Sequence, residues 1–139
     1  MLKKFIIEET LTMKQENFSI RKRLESFKYA FNGLLILIKE EHNARIHLFA
    51  TVCAIIAGIY FNISVQEWLS LVFAFGFVIS LETVNSSLEN IADFISPERH
   101  ESIKRIKDLA AAAVLISAIT AFTIGLIIFL PKVALLLEL

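Results

Sequence analysis

The chain has 139 residues, 56% of them hydrophobic, and a mean hydropathy of +0.66. That is too apolar for a soluble domain of this length and points to one compact integral membrane domain. Fourteen basic residues balance fourteen acidic ones, and the single cysteine, Cys53, excludes an internal disulfide framework or a cysteine metal site and reads as a small core residue.

Residues 1–18 are polar and mixed in charge, unlike a cleaved signal peptide, and read as an extension, frayed or weakly helical, ahead of a core domain over 19–139. From Ile20 to about Lys39, Leu24, Phe27, Phe31, Leu34, Leu35 and Ile38 recur at helical spacing, with Arg21, Glu25, Lys28, Asn32 and Lys39 on the other side. This is an amphipathic helix suited to a membrane surface, its basic side toward headgroups.

Three apolar spans follow, at about 46–61, 68–94 and 109–130. The first is short and crosses only with its flanking turns or with local thinning. Trp68 suits an interfacial anchor at the start of the second. The third is uncharged throughout and ends at Pro131-Lys132; its Ala110–Ala113 start and Ser117, Thr120 and Gly125 favour close helix packing.

Nine Lys or Arg precede the first span, and Arg99, Lys104, Arg105 and Lys107 lie between the second and third, whereas the connector 62–67 carries none. By the positive-inside rule the N-terminus and second loop are cytoplasmic and the C-terminus is outside. The fold expected is therefore an all-α membrane protein with an N-terminal surface helix and three transmembrane helices. So few helices enclose little interior, and a homo-oligomeric bundle is expected.

Within the second span Glu82, Asn85, Glu89 and Asp93 are spaced three, four and four, which places them on one helical face. A carboxylate in hydrocarbon costs roughly 2.5–3.5 kcal/mol even on lenient scales, so such residues face a protein interior and mark a site. At about 1.5 Å per residue, Glu82 lies ~21 Å from Trp68, near the inner edge of the hydrocarbon, and Asp93 ~16 Å further in. The stripe thus joins lipid depth to the cytoplasmic loop.

Three chemistries fit: proton or ion passage, phosphoryl transfer to a lipid, or hydrogen bonds that hold an oligomer together. Passage would prefer acids continuing outward, but Trp68–Leu81 contains none. Phosphoryl transfer needs a group to orient a hydroxyl, carboxylates for Mg²⁺ and cations for phosphate. Glu82, Glu89, Asp93, Glu41 at the inner end of the first span, and Lys107-Asp108 where the third begins supply these types. GxxxxGK[ST] and the HRD and DFG kinase motifs are absent.

Glu82-Thr-Val-Asn85-Ser-Ser-Leu-Glu89-Asn-Ile-Ala-Asp93 resembles the E-x-x-N-[ST]-x-[IL]-E-x-x-x-D signature of the prokaryotic diacylglycerol kinase family, small trimeric membrane enzymes with three spans. Lys107-Asp108 before an Ala-rich helix, Glu41-His-Asn-Ala-Arg45, and Phe27-Lys-Tyr-Ala-Phe-Asn-Gly33 resemble three further elements of that family, so the likeness covers about residues 19–132. Ser87 and Leu88 stand where the family more often has Ala and Ile.

The resemblance implies a homotrimeric lipid kinase of a bacterial inner or plasma membrane, dependent on ATP and Mg²⁺. It would make undecaprenyl phosphate from undecaprenol or phosphatidic acid from diacylglycerol. By the same resemblance Glu82 is the catalytic base, Glu41 and Glu89 hold Mg²⁺, and Asn85 supports its neighbours. Asp93, Glu98, His100, Lys107 and Asp108 shape the nucleotide site, Tyr29 makes an aromatic contact with it, and Lys22 stands where the family often has Arg. The Ile127–Lys132 ending and Glu41-x-Asn43-x-x-x-His47 look closer to the undecaprenol branch.

Plainer roles stand beside these. Asn85 also suits helix association, Glu41 a solvated helix end, and Lys107 with Asp108 a snorkelling cation and a dipole-favoured carboxylate. His42, His47 and His100 suit an interface, and Arg21-Lys22-Arg23 suits anionic lipid. The rival function is a small proton-coupled transporter that uses the acidic stripe as a relay.

Overall fold

Among the described residues the spacing of apolar residues resolves into four helices: α1 over Ile20–Glu40, α2 over His42–Tyr60, α3 over Val65–Ile95 and α4 over Glu101–Leu136. The computed structural model describes residues 19–96, 98 and 100–137, apart from the side chains of Arg21 and Lys22. The expectations for the 1–18 extension and for Arg99 lie outside the described residues. Two units divide after Gly33, inside α1. In the first, Leu24, Phe27 and Phe31 are exposed along α1, the unburied apolar stripe of a surface-seeking helix.

The second unit holds the last two turns of α1, from Leu34, and the three long helices. Glu41 separates α1 from α2: its backbone is extended (φ −95°, ψ 118°), while its N–H still bonds to the Leu37 carbonyl at 2.9 Å. The turn from α2 to α3 passes through Asn62 at φ 47°, a left-handed conformation that asparagine tolerates better than most residues. A capping box then starts α3. Ser64 Oγ accepts from the Glu67 N–H at 3.3 Å, and the Ser64 N–H donates to Glu67 Oε2 at 2.7 Å.

Successive long helices are antiparallel. Glu67 near the start of α3 pairs with Lys132 near the end of α4, and Asp93 near the end of α3 pairs with Lys107 near the start of α4. Helix α4 runs along most of α3, and α2 packs on it over a shorter stretch. At the Trp68 end Ile63, Leu71 and Ile128 form a small core, with Phe61, Trp68, Phe75, Ile124 and Phe129 against it. A Cβ on Gly58 would come within 2.8 Å of the Trp68 ring, so α2 approaches this core at a point that only glycine permits.

Helices α2, α3 and α4, at 19, 31 and 36 residues, are all long and apolar enough to cross a membrane. The protein is therefore an all-α, multi-pass membrane protein, as expected. Three details differ from expectation. Helix α4 begins at Glu101, so Lys107 and Asp108 lie almost two turns inside it rather than at its start. It also continues through Pro131 to Leu136. Proline forfeits its own N–H bond to the preceding turn and its ring crowds a carbonyl there, costs that membrane helices tolerate, and the Lys132–Glu67 pair holds the turn beyond it. Cys53, expected in the core, is exposed, because α2 offers only part of its circumference to α3 within one chain.

Candidate functional site

Four residues of α3 make the polar stripe, and their burial falls steadily along it. Glu82 is 1% exposed and Asn85 8%, Glu89 is half-buried and Asp93 is exposed. Period 3.6 explains the alignment, and the packing of α2 and α4 on α3 explains the gradient. Glu82 is the most demanding group. Both its carboxylate oxygens are buried without a hydrogen-bond partner, and the charges of Glu41 and Glu89 bear on it. Native structures seldom leave such atoms unsatisfied without a functional reason.

Glu41 and Glu89 are each held by a neutral donor. Ser86 Oγ donates to Glu41 Oε1 at 2.9 Å across the α2–α3 contact, and Asn85 Nδ2 donates to Glu89 Oε1 at 3.0 Å within α3. Asn85 Oδ1, like the Glu82 oxygens, is buried with no partner. The Ser86 carbonyl accepts from Asn90 Nδ2 at 3.0 Å. The sequence marks Ser86 only as the [ST] position of the E-x-x-N-[ST]-x-[IL]-E-x-x-x-D signature and gives no sign of its partner. It lies one residue from Asn85 on a helix, and nothing in the spacing says that its hydroxyl meets a side chain 45 residues away.

Beyond the stripe the helix ends enclose an open cleft of about 660 Å³, bordered by Asp93, Glu98, His100, Lys107 and Asp108 among the expected residues and by Lys104 in addition. Lys107 Nζ bonds both oxygens of Asp93, at 2.9 and 3.1 Å. His100 is the N-cap of α4: its Nδ1 accepts from the Ser102 N–H at 3.2 Å, which leaves Nε2 for another partner. The structure thus brings Glu41 and Glu89 near enough for their charges to bear on Glu82, with Asn85 bonded to Glu89, and five more of the expected residues to one cleft. Tyr29 is exposed on α1 in the first unit, and the Lys22 side chain lies outside the described residues.

All the donors in the buried part are carboxylate or amide oxygens, the hard type that Mg²⁺ prefers. Among the described residues no group of three His, Cys, Asp or Glu side chains converges tightly enough to hold a metal by itself. The residues therefore fit an ion that takes one or two protein carboxylates and completes its shell with substrate phosphates and water, the usual arrangement for Mg²⁺ in phosphoryl transfer.

Residues 28–129 match the family model described as prokaryotic diacylglycerol kinase. The chain belongs to the prokaryotic diacylglycerol kinase family. It is 33% identical to an undecaprenol kinase of Bacillus subtilis over 119 residues, 86% of this chain and 97% of that protein. It is 35% identical over 109 residues to a diacylglycerol kinase of Synechocystis, covering 78% of this chain but only 62% of that protein. A diacylglycerol kinase of Escherichia coli is 30% identical over 93 residues, 67% of this chain and 76% of that protein. The chain is thus a lipid kinase, and the rival transporter reading is without support.

Proposed function

We propose that this lipid kinase transfers the γ-phosphate of ATP to undecaprenol, in the plasma membrane of a bacterium, with Glu82 engaging the acceptor hydroxyl. The observation that carries the assignment of Glu82 is its carboxylate, buried in an apolar helix with both oxygens unpartnered. The acceptor hydroxyl supplies the hydrogen bond that the protein withholds. As the hydroxyl oxygen attacks the γ-phosphorus, its proton passes to Glu82 and the bond from phosphorus to the ADP oxygen breaks.

Glu41 and Glu89, each with one oxygen hydrogen-bonded, would hold Mg²⁺ through the other. When bound, Mg²⁺ would neutralise phosphate charge. Asn85 steadies Glu89. Asp93, Glu98, His100, Lys107 and Asp108 line the nucleotide cleft, with Lys107 presented to phosphate from its pairing with Asp93. For Tyr29 and Lys22 a nucleotide contact rests on the family resemblance alone. Residues 19–139 form the catalytic domain of a homotrimer and 1–18 are an extension. The N-terminus and the cleft face the cytoplasm, where ATP is.

Undecaprenol is favoured over diacylglycerol by the Bacillus relative, matched over nearly its whole length, and by Glu41-x-Asn43-x-x-x-His47. Diacylglycerol is the second reading, on the slightly higher identity to the Synechocystis protein. In mixed micelles with labelled ATP and Mg²⁺, undecaprenol is expected to be the better acceptor, and faster labelling of diacylglycerol would reverse the choice. Glu82→Gln is expected to lose activity by about 10²-fold or more while still binding nucleotide. Loss of nucleotide affinity in that variant would overturn its assigned role.

A further inference from the structure

Glu41 occupies the N-cap position of α2, with the extended backbone of a cap, yet its side chain makes no capping bond. A carboxylate there would ordinarily turn to the free N–H groups of the first helical turn and to the positive end of the helix dipole. Instead it faces α3, where Ser86 Oγ donates to its Oε1 at 2.9 Å. Ser86 is 6% exposed and sits on the continuous helix α3, which fixes its backbone. The bond crosses between helices and ends on a flexible side chain at a helix break, where the local backbone does not hold the carboxylate.

We infer that Ser86 is a positioning residue: by holding Oε1 of Glu41 it aims the second oxygen of that carboxylate at the cation that accompanies the nucleotide. This rests on the reading of Glu41 as a carboxylate for that cation. A hydroxyl suits the task, because it directs the carboxylate without neutralising it, as a lysine or arginine would. Asn85 does the same for Glu89 from the preceding position on α3, so adjacent residues 85 and 86 each orient one acid.

Removal of hydrogen-bond partners that orient metal ligands typically lowers metal affinity about 10–100-fold. Mn²⁺ titrated into the ADP-bound, detergent-solubilised protein, with free Mn²⁺ read by electron paramagnetic resonance, measures this without turnover. Ser86→Ala is expected to weaken Mn²⁺ binding about tenfold, and Ser86→Thr, which keeps the hydroxyl, to restore it. In Glu41→Gln the further change Ser86→Ala is expected to add little, since both act through one carboxylate. Unchanged Mn²⁺ affinity in folded Ser86→Ala, beside a clear loss in Glu41→Gln, would overturn the inference alone. Unchanged affinity in Glu41→Gln would overturn the underlying assignment of Glu41. If Ser86→Ala does not fold, Ser86→Cys keeps the volume with a poorer donor, and parent-like affinity there would overturn the inference equally.

Discussion

Glu82 concentrates the conflict between stability and function in a single side chain. Its carboxylate is almost wholly buried and unpartnered, and the charges of Glu41 and Glu89 bear on it. An unsatisfied buried polar group costs about 1–3 kcal/mol, more when charged. Glu82→Leu removes that burden and keeps the volume similar. Its apparent melting temperature in detergent is expected to equal or exceed that of the parent, corresponding to a gain of about 1–3 kcal/mol, while phosphoryl transfer is lost. A less stable Glu82→Leu protein would mean that the carboxylate has a structural partner after all. The acid was legible in the sequence because a carboxylate among Leu, Val, Ile and Phe is too costly to keep without a task. Ser86 was legible only as the hydroxyl position of the family signature, and its partner Glu41 was not, because nothing in the order of residues says which side chain a serine meets once the helices pack.

Among the elements, α2 and α3 meet closely at the Trp68 end. A Cβ at Gly58 would lie 2.8 Å from Trp68 Cη2 and 3.0 Å from Ile63 Cδ1. Gly58→Ala is therefore expected to destabilise the helix pair by about 1–3 kcal/mol, seen as a lower melting temperature. Trp68→Phe in the same chain removes the clashing ring atoms and is expected to recover part of that loss; strictly additive effects would show that the two residues do not press on each other. Helix existence was legible from periodicity and apolar length, and the ends were not. Charged residues hid the first two turns of α4, and Pro131 read as a stop although the helix passes through it. Ser117, in the small-residue series of α4, is packed away as anticipated, whereas a Cβ on Gly125 would meet nothing within 4 Å.

At the level of the molecule, one chain buries few side chains, and large apolar residues such as Phe73, Phe77, Phe122 and Ile127 remain exposed. Lipid covers such residues readily, so exposure alone demands no partner. On α3, however, Gly76 and Ser80 sit with Val72, Phe73 and Phe77 along a shallow groove, and small residues on a central helix let a neighbouring helix approach. The proposed homotrimer is expected to give a protein mass of three chains by light scattering in mild detergent. A fully active species with the mass of one chain would remove the trimer from the proposal.

The class of the protein, an all-helical membrane chain with an acidic stripe on its second span, was written in the order of its residues. Apolar length, helical period and the cost of buried charge are local properties that require no partner to be read. The same residues carried the motif of the family to which comparison with known proteins assigns the chain. The pairing of Asn85 with Glu89 follows from their spacing of four on one helix, whereas the donors that reach an acid from another helix were settled by packing. Packing gave Glu41 to Ser86 and Lys107 to Asp93, and left the Glu82 oxygens without a partner. Those pairings depend on how antiparallel helices lie against one another, and residues distant in the chain become neighbours only when the packing sets that register.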